Sequence, residues 1–244
     1  MSQLRPGPGT SAHDLPPFRD LVGRRYAVRS PFWSWLLFER AGGALAYVFA
    51  LLRVSPSTVT LLGGVSGVSG AAVLGTATES TDLLLAGGLL LLGYTLDCSD
   101  GQLARATGQT SARGAWLDVT IDGVVVAFLA AALSSALTAE DGAASLSFLL
   151  AGAFGASRTA SLFTATRVRS SDTGGLQLTG WKGVLRTAYG ASTDTPFVYA
   201  TLCATRLDPV LFRAAIGAFT VLTVLRMIVS AHHHFRAEAR ESTL

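Results

Sequence analysis

From residue 54 onward the chain is dominated by apolar runs of about twenty residues separated by short polar breaks, the length a helix needs to cross a bilayer. These runs predict helices at Pro56–Thr78, Leu83–Arg105, Ala115–Thr138, Ala144–Arg167, Ala191–Cys203 and Pro209–Ser230. The fifth is short and carries Asp194, and its start is expected nearer Thr187. Ahead of them, residues 31–53 mix Phe32, Trp33, Trp35, Leu36, Leu37 and Phe38 with Glu39, Arg40 and Arg53, the pattern of an amphipathic helix lying in the membrane interface. Residues 1–30 contain Pro6, Pro8, Pro16 and Pro17 among Gly, Ser and Arg. Such a segment buries too little apolar surface to offset its ordering entropy, so a flexible tail is expected. The prediction is an all-α integral membrane protein with an N-terminal interfacial, juxtamembrane helix over 31–53, six transmembrane helices over 54–235 and a C-terminal tail over 236–244.

Composition agrees with this reading, since half the residues are hydrophobic, 14% are charged and mean hydropathy is +0.44. The polar, Arg-rich start does not read as a secretory signal. Cys98 and Cys203 are the only cysteines and have no His or Cys at ligand spacing, which argues against a disulfide framework and a zinc site. A net charge of +3 raises nucleic acid as a partner, but the arginines flank the apolar runs instead of forming a stripe with aromatics, so none is expected. They follow the positive-inside rule. Glu79, Asp82, Glu140 and Asp141 fall in two alternate connections, and Arg105, Arg113, Arg167, Arg169, Lys182 and Arg186 in the others. A multi-pass protein of the plasma (cytoplasmic) membrane with both termini cytosolic is therefore expected.

The chemistry is concentrated in four aspartates. Asp97 and Asp100 end the second predicted span, while Asp118 and Asp122 open the third. Separations of three and four residues put each pair on one helical face, and a short hairpin then turns the two pairs toward each other at the cytosolic side. Clustered carboxylates at membrane depth are unfavourable unless neutralised. Two divalent cations, Mg²⁺ or Mn²⁺, would balance four such charges, and hard cations of this kind share their shells with substrate phosphates. Gly101 and Gly114 leave room for a ligand, Ala104 keeps the surface shallow, and Arg105 offers a fork for phosphate oxygens. The competing reading is a carboxylate-lined transporter, which has no particular use for those four residues.

The run Asp97-x2-Asp100-Gly101-x2-Ala104-Arg105-x8-Gly114-x3-Asp118-x3-Asp122 resembles the signature of the CDP-alcohol phosphotransferase family, with every fixed position filled. Ser55-Pro56-Ser57-x-x-Thr60 is similar to a further family element in which Asn usually stands where Ser57 does. The resemblance implies a six-helix, homodimeric membrane enzyme with a cytosolic active site, which transfers a substituted phosphoryl group from a CDP-linked donor to an alcohol and releases CMP in phospholipid or related biosynthesis. It further implies that Asp97, Asp100, Asp118 and Asp122 hold the metals and that Asp122 is also the catalytic base. Gly101, Ala104, Arg105, Gly114 and Thr60 would contact the CDP moiety. Arg158, a cation inside the fourth span, and Lys182 and Arg186 after it are the candidate acceptor contacts. CDP-diacylglycerol as donor and a polar alcohol as acceptor is the preferred assignment; the alternative is a CDP-linked polar alcohol with a lipid acceptor.

Overall fold

The computed structural model describes residues 33–141, 144–168 and 193–241, which are helical apart from short connections. A π-helical turn over Ser34–Phe38 runs directly into α1 (Glu39–Leu51). It is followed by α2 (Pro56–Thr76), α3 (Ser80–Ala106), α4 (Ala112–Asp141), α5 (Ala144–Val168), α6 (Thr195–Thr205) and α7 (Pro209–Glu241). The predicted tail over 1–30, Lys182, Arg186 and the expected start of the fifth span lie outside the described residues.

Local chemistry sets the helix ends. At α2, Ser55 is the N-cap, accepting from the Thr58 amide at 3.2 Å, and Pro56 occupies the first turn, where no amide is needed. At α3, the Glu79 and Asp82 side chains form a reciprocal capping box, so this helix starts at Ser80, before the predicted Leu83. α6 is shorter than expected because Asp194 is an extended N-cap and Pro196 lies in the first turn. α7 runs on through the segment predicted as tail, to Glu241.

The five-residue connection between α3 and α4 is closed at both ends. Gly108 takes a left-handed φ of 69°, and the Gln109 amide bonds the Ala104 carbonyl at 2.8 Å. This is a Schellman stop for α3. Ser111 then caps α4 by accepting from the Gly114 amide at 3.0 Å.

Among the described residues six helices close a ring in which α3 packs on α2, α2 on α4, α4 on α5, α5 on α7, α7 on α6, and α6 back on α3. α1 lies outside the ring against α3, where a Cβ on Gly42 would stand 2.9 Å from the Cys98 Cβ. α2 and α3 approach even more closely: a Cβ on Gly93 would lie 2.9 Å from both the Gly63 carbonyl oxygen and the Gly67 amide nitrogen. At one end of the ring Leu74, Leu90, Leu133, Phe154, Leu202 and Phe212 form the apolar core. There buried Arg206 donates from Nε to the Leu74 carbonyl at 3.3 Å and sits 5.4 Å from the Phe212 ring centre.

The outward surface is apolar. Leu84, Phe148 and Val210 are each more than two-thirds exposed, at 77%, 69% and 73%, while Asp100, Ser99 and Thr60 are buried. This distribution, inverted relative to a water-soluble bundle, suits a lipid surround. Among the described residues, Pro56–Thr76, Ser80–Ala106 and Ala112–Thr138 are long and apolar enough to cross a membrane. The 11 residues of α6 extend only about 16 Å, roughly half of a hydrocarbon core.

Candidate active site

Asp97 and Asp100 occupy the last three turns of α3, and Asp118 and Asp122 the second and third turns of α4. The short connection holds these helix ends together. As a result Asp97, Asp100 and Asp118 each offer a ligand atom within 4.8 Å of the others. Asp122 is not one of this group; it lies farther along α4, on the wall of an adjoining cavity, and acts electrostatically on both Asp97 and Asp100.

The cluster suits a hard divalent cation. Its donors are all carboxylate oxygens, and three such charges at this separation repel strongly in a half-buried site unless a cation joins them. Asp100 is oriented by Thr60 of α2, whose Oγ1 donates to Asp100 Oδ2 and also approaches the Pro56 carbonyl at 3.1 Å. Thr60, expected to touch the nucleotide, is thus bonded to one of the cluster's own carboxylates.

The other expected donor contacts lie on the same helix ends. The Arg105 guanidinium folds back over Gly101, where a Cβ would stand 3.2 Å from Nη1. Gly114 has only Ser111 Oγ nearby, at 3.2 Å from a Cβ position, and otherwise faces open space. Ala104 is half-buried and Arg105 exposed. Arg105 and the side-chain-free positions Gly101 and Gly114 therefore lie on the same two helix ends as the carboxylates.

A cavity of about 170 Å³ extends from Asp97 and Asp122 into the ring. Glycines of α2 and α3 line it, together with Tyr94, Arg158, Thr195 and Tyr199. Arg158, singled out as a cation at membrane depth, thus shares a cavity with two of the aspartates. Its guanidinium also donates to the Thr193 carbonyl at 3.3 Å and to Thr195 Oγ1 at 2.6 Å. Tyr94, Thr195 and Tyr199 were not anticipated. Tyr94 could have been, since it precedes Asp97 by three residues and shares its face.

The model of the CDP-alcohol phosphatidyltransferase family matches residues 53–180, just over half of the 244-residue chain. The match spans all four aspartates, Thr60 and Arg158. No curated protein matches the chain significantly.

Proposed function

The chain belongs to the CDP-alcohol phosphatidyltransferase family, and on that footing we propose that it transfers a phosphatidyl group from CDP-diacylglycerol to a polar alcohol such as an inositol phosphate or glycerol phosphate, releasing CMP. Membership itself implies transfer of a phosphate-containing group from a CDP-alcohol to an alcohol, in a family that typically uses divalent metals. The observation that carries the finer reading is that Asp97 of the three-carboxylate cluster lines, together with Asp122, a cavity that Arg158 also lines. An anionic head group fits between a metal site and a guanidinium.

In this reading Asp97, Asp100 and Asp118 would hold two divalent cations, Mg²⁺ or Mn²⁺, and Asp122 would contribute to the second. When bound, these ions neutralise the donor's pyrophosphate and the charge that builds up on it. Arg105, with the unobstructed surface of Gly101, Ala104 and Gly114, seats the cytidine diphosphate. Asp122, on the cavity side, takes the proton of the acceptor hydroxyl as that oxygen attacks the lipid-bearing phosphorus. The new P–O bond forms as the pyrophosphate P–O bond breaks, and CMP leaves with the electron pair. Thr60 keeps Asp100 turned toward the cluster, as an outer-shell partner does for a metal ligand.

The exposed apolar faces and the arginine distribution support six crossings of the plasma membrane, with the chemistry and both termini at the cytosolic side. A homodimer is expected from the family, with Lys182 and Arg186 contributing to the acceptor side.

The test is CMP release by purified protein in detergent with Mg²⁺ or Mn²⁺, CDP-diacylglycerol and a panel of polar alcohols, with Asp122→Asn alongside. Metal-dependent release stimulated by one acceptor and lost in the variant is the expected result. Absence of release with every acceptor rules the reading out.

A further inference from the structure

Residues 193–195, at the head of α6, join three elements that are distant in sequence. Arg158 of α5 grips Thr193 and Thr195 as described above. Between them Asp194 turns the other way: its Oδ2 accepts the Ser34 backbone N–H at 2.7 Å and its Oδ1 accepts the Ser34 hydroxyl at 2.5 Å. The Ser34 hydroxyl also lies 2.5 Å from the Tyr94 hydroxyl of α3. Ser34 has one hydroxyl proton and gives it to Asp194, so Tyr94 is the donor in that pair.

Asp194 and Ser34 are both only 2% exposed. A carboxylate is costly in such a place unless donors match it, and here they come from the start of the juxtamembrane helix. Trp33, at the N-cap of the π-helical turn, supplies no side-chain cap. Asp194 supplies one from 160 residues away, placing negative charge where the first amides and the helix dipole call for it. Tyr94, Arg158 and Thr195, the residues this linkage fixes, all face the cavity that Asp97 and Asp122 also line, whereas Asp194 does not.

We propose that Asp194 is a positioning residue for the acceptor side of the cavity: through Thr193 and Thr195 it holds the Arg158 guanidinium, through Ser34 it holds the Tyr94 hydroxyl, and so it sets affinity for the acceptor alcohol. The proposal rests on the transferase reading above. It assigns the juxtamembrane turn a part in substrate selection, because Ser34 closes the network.

The experiment is steady-state CMP release by the full chain in detergent, varying acceptor (glycerol 3-phosphate or an inositol phosphate, whichever is faster in wild type) and donor separately. Asp194→Asn and Asp194→Ala are expected to raise the acceptor KM about tenfold, the factor for losing one charge-assisted hydrogen bond. Turnover number and donor KM should stay within about twofold. Ser34→Ala, a smaller change, should shift the acceptor KM in the same direction and add nothing further to Asp194→Ala, since both break one linkage. A fall in turnover and thermal stability with a wild-type acceptor KM in these variants is the mark of a purely structural role and overturns the proposal. Wild-type protein that releases no CMP overturns the transferase reading and the acceptor claim together; wild-type turnover with unmoved KM in both Ser34→Ala and Asp194→Ala overturns the positioning claim alone.

Discussion

Replacing Gly93 by alanine tests how closely the two helices that carry Thr60 and Asp100 must approach. The added Cβ would lie 2.9 Å from the Gly63 carbonyl oxygen and the Gly67 amide nitrogen and 3.2 Å from the Gly67 Cα. All three are backbone atoms, so no side-chain rotation relieves the contact. Bringing 2.9 Å up to an ordinary contact of about 3.4 Å requires α2 and α3 to part by about 0.5 Å. Overpacking of this kind costs about 1–3 kcal/mol, and the better helix propensity of alanine returns up to about 1 kcal/mol. Gly88 on the same helix is the control, because a Cβ there meets nothing within 4 Å. Gly88→Ala should gain about 0.5–1 kcal/mol. Thermal unfolding in one detergent should therefore place the two variants roughly 2–12 °C apart, with Gly93→Ala the lower. Gly93→Ala should also lose metal-dependent activity beyond its loss of stability, since parting the helices pulls Thr60 from Asp100. Equal midpoints for the two variants would refute the close-approach argument.

Chelation with EDTA should abolish CMP release, Mg²⁺ or Mn²⁺ should restore it, and either ion should raise the wild-type unfolding temperature by binding the folded state. Asp97→Asn should lose both the activity and the metal-induced stabilisation, whereas Asp122→Asn should lose about 10²–10⁴ in turnover and keep the stabilisation; the opposite pattern would reverse the roles assigned to the two residues. Thr60→Val should raise the metal dissociation constant at least about tenfold, read from the ion dependence of the unfolding temperature, and an unchanged constant would show that Asp100 needs no support. Arg206→Met strands the Leu74 carbonyl and should cost about 1–3 kcal/mol of stability without altering metal affinity, a result checked by the same titration.

The carboxylate cluster was legible in the sequence because its geometry is local. Two i, i+3 and i, i+4 pairs on either side of a Gly-bearing connection can meet in few ways, and Asp97, Asp100 and Asp118 do meet. The same spacing did not reveal that Asp122 stands apart from that group, since a helical face specifies direction but not depth. The helices themselves followed from apolar runs, and their ends were misjudged where capping chemistry outweighed hydropathy, as at Ser80 and Thr195. What sequence could not supply was pairing at long range. Thr60 with Asp100, 40 residues apart, and Ser34 with Asp194, 160 apart, leave no periodic trace, because each is created when the ring of helices closes.

The connection from Thr107 to Ser111 gives the site an unusual sensitivity to chain length. Surface loops ordinarily accept insertions at little thermodynamic cost. Here only Gln109 and Thr110 separate the left-handed glycine that stops α3 from the serine that starts α4. A single inserted residue would add up to about 3.6 Å of reach, comparable with the 4.8 Å across which the three carboxylates gather. Both helices would remain intact and the chain would still insert and fold, yet Asp118 could drift out of range of Asp97 and Asp100. Loop length here acts as a tolerance on metal affinity, so a lengthened hairpin should give a stable protein that needs far more divalent ion to work.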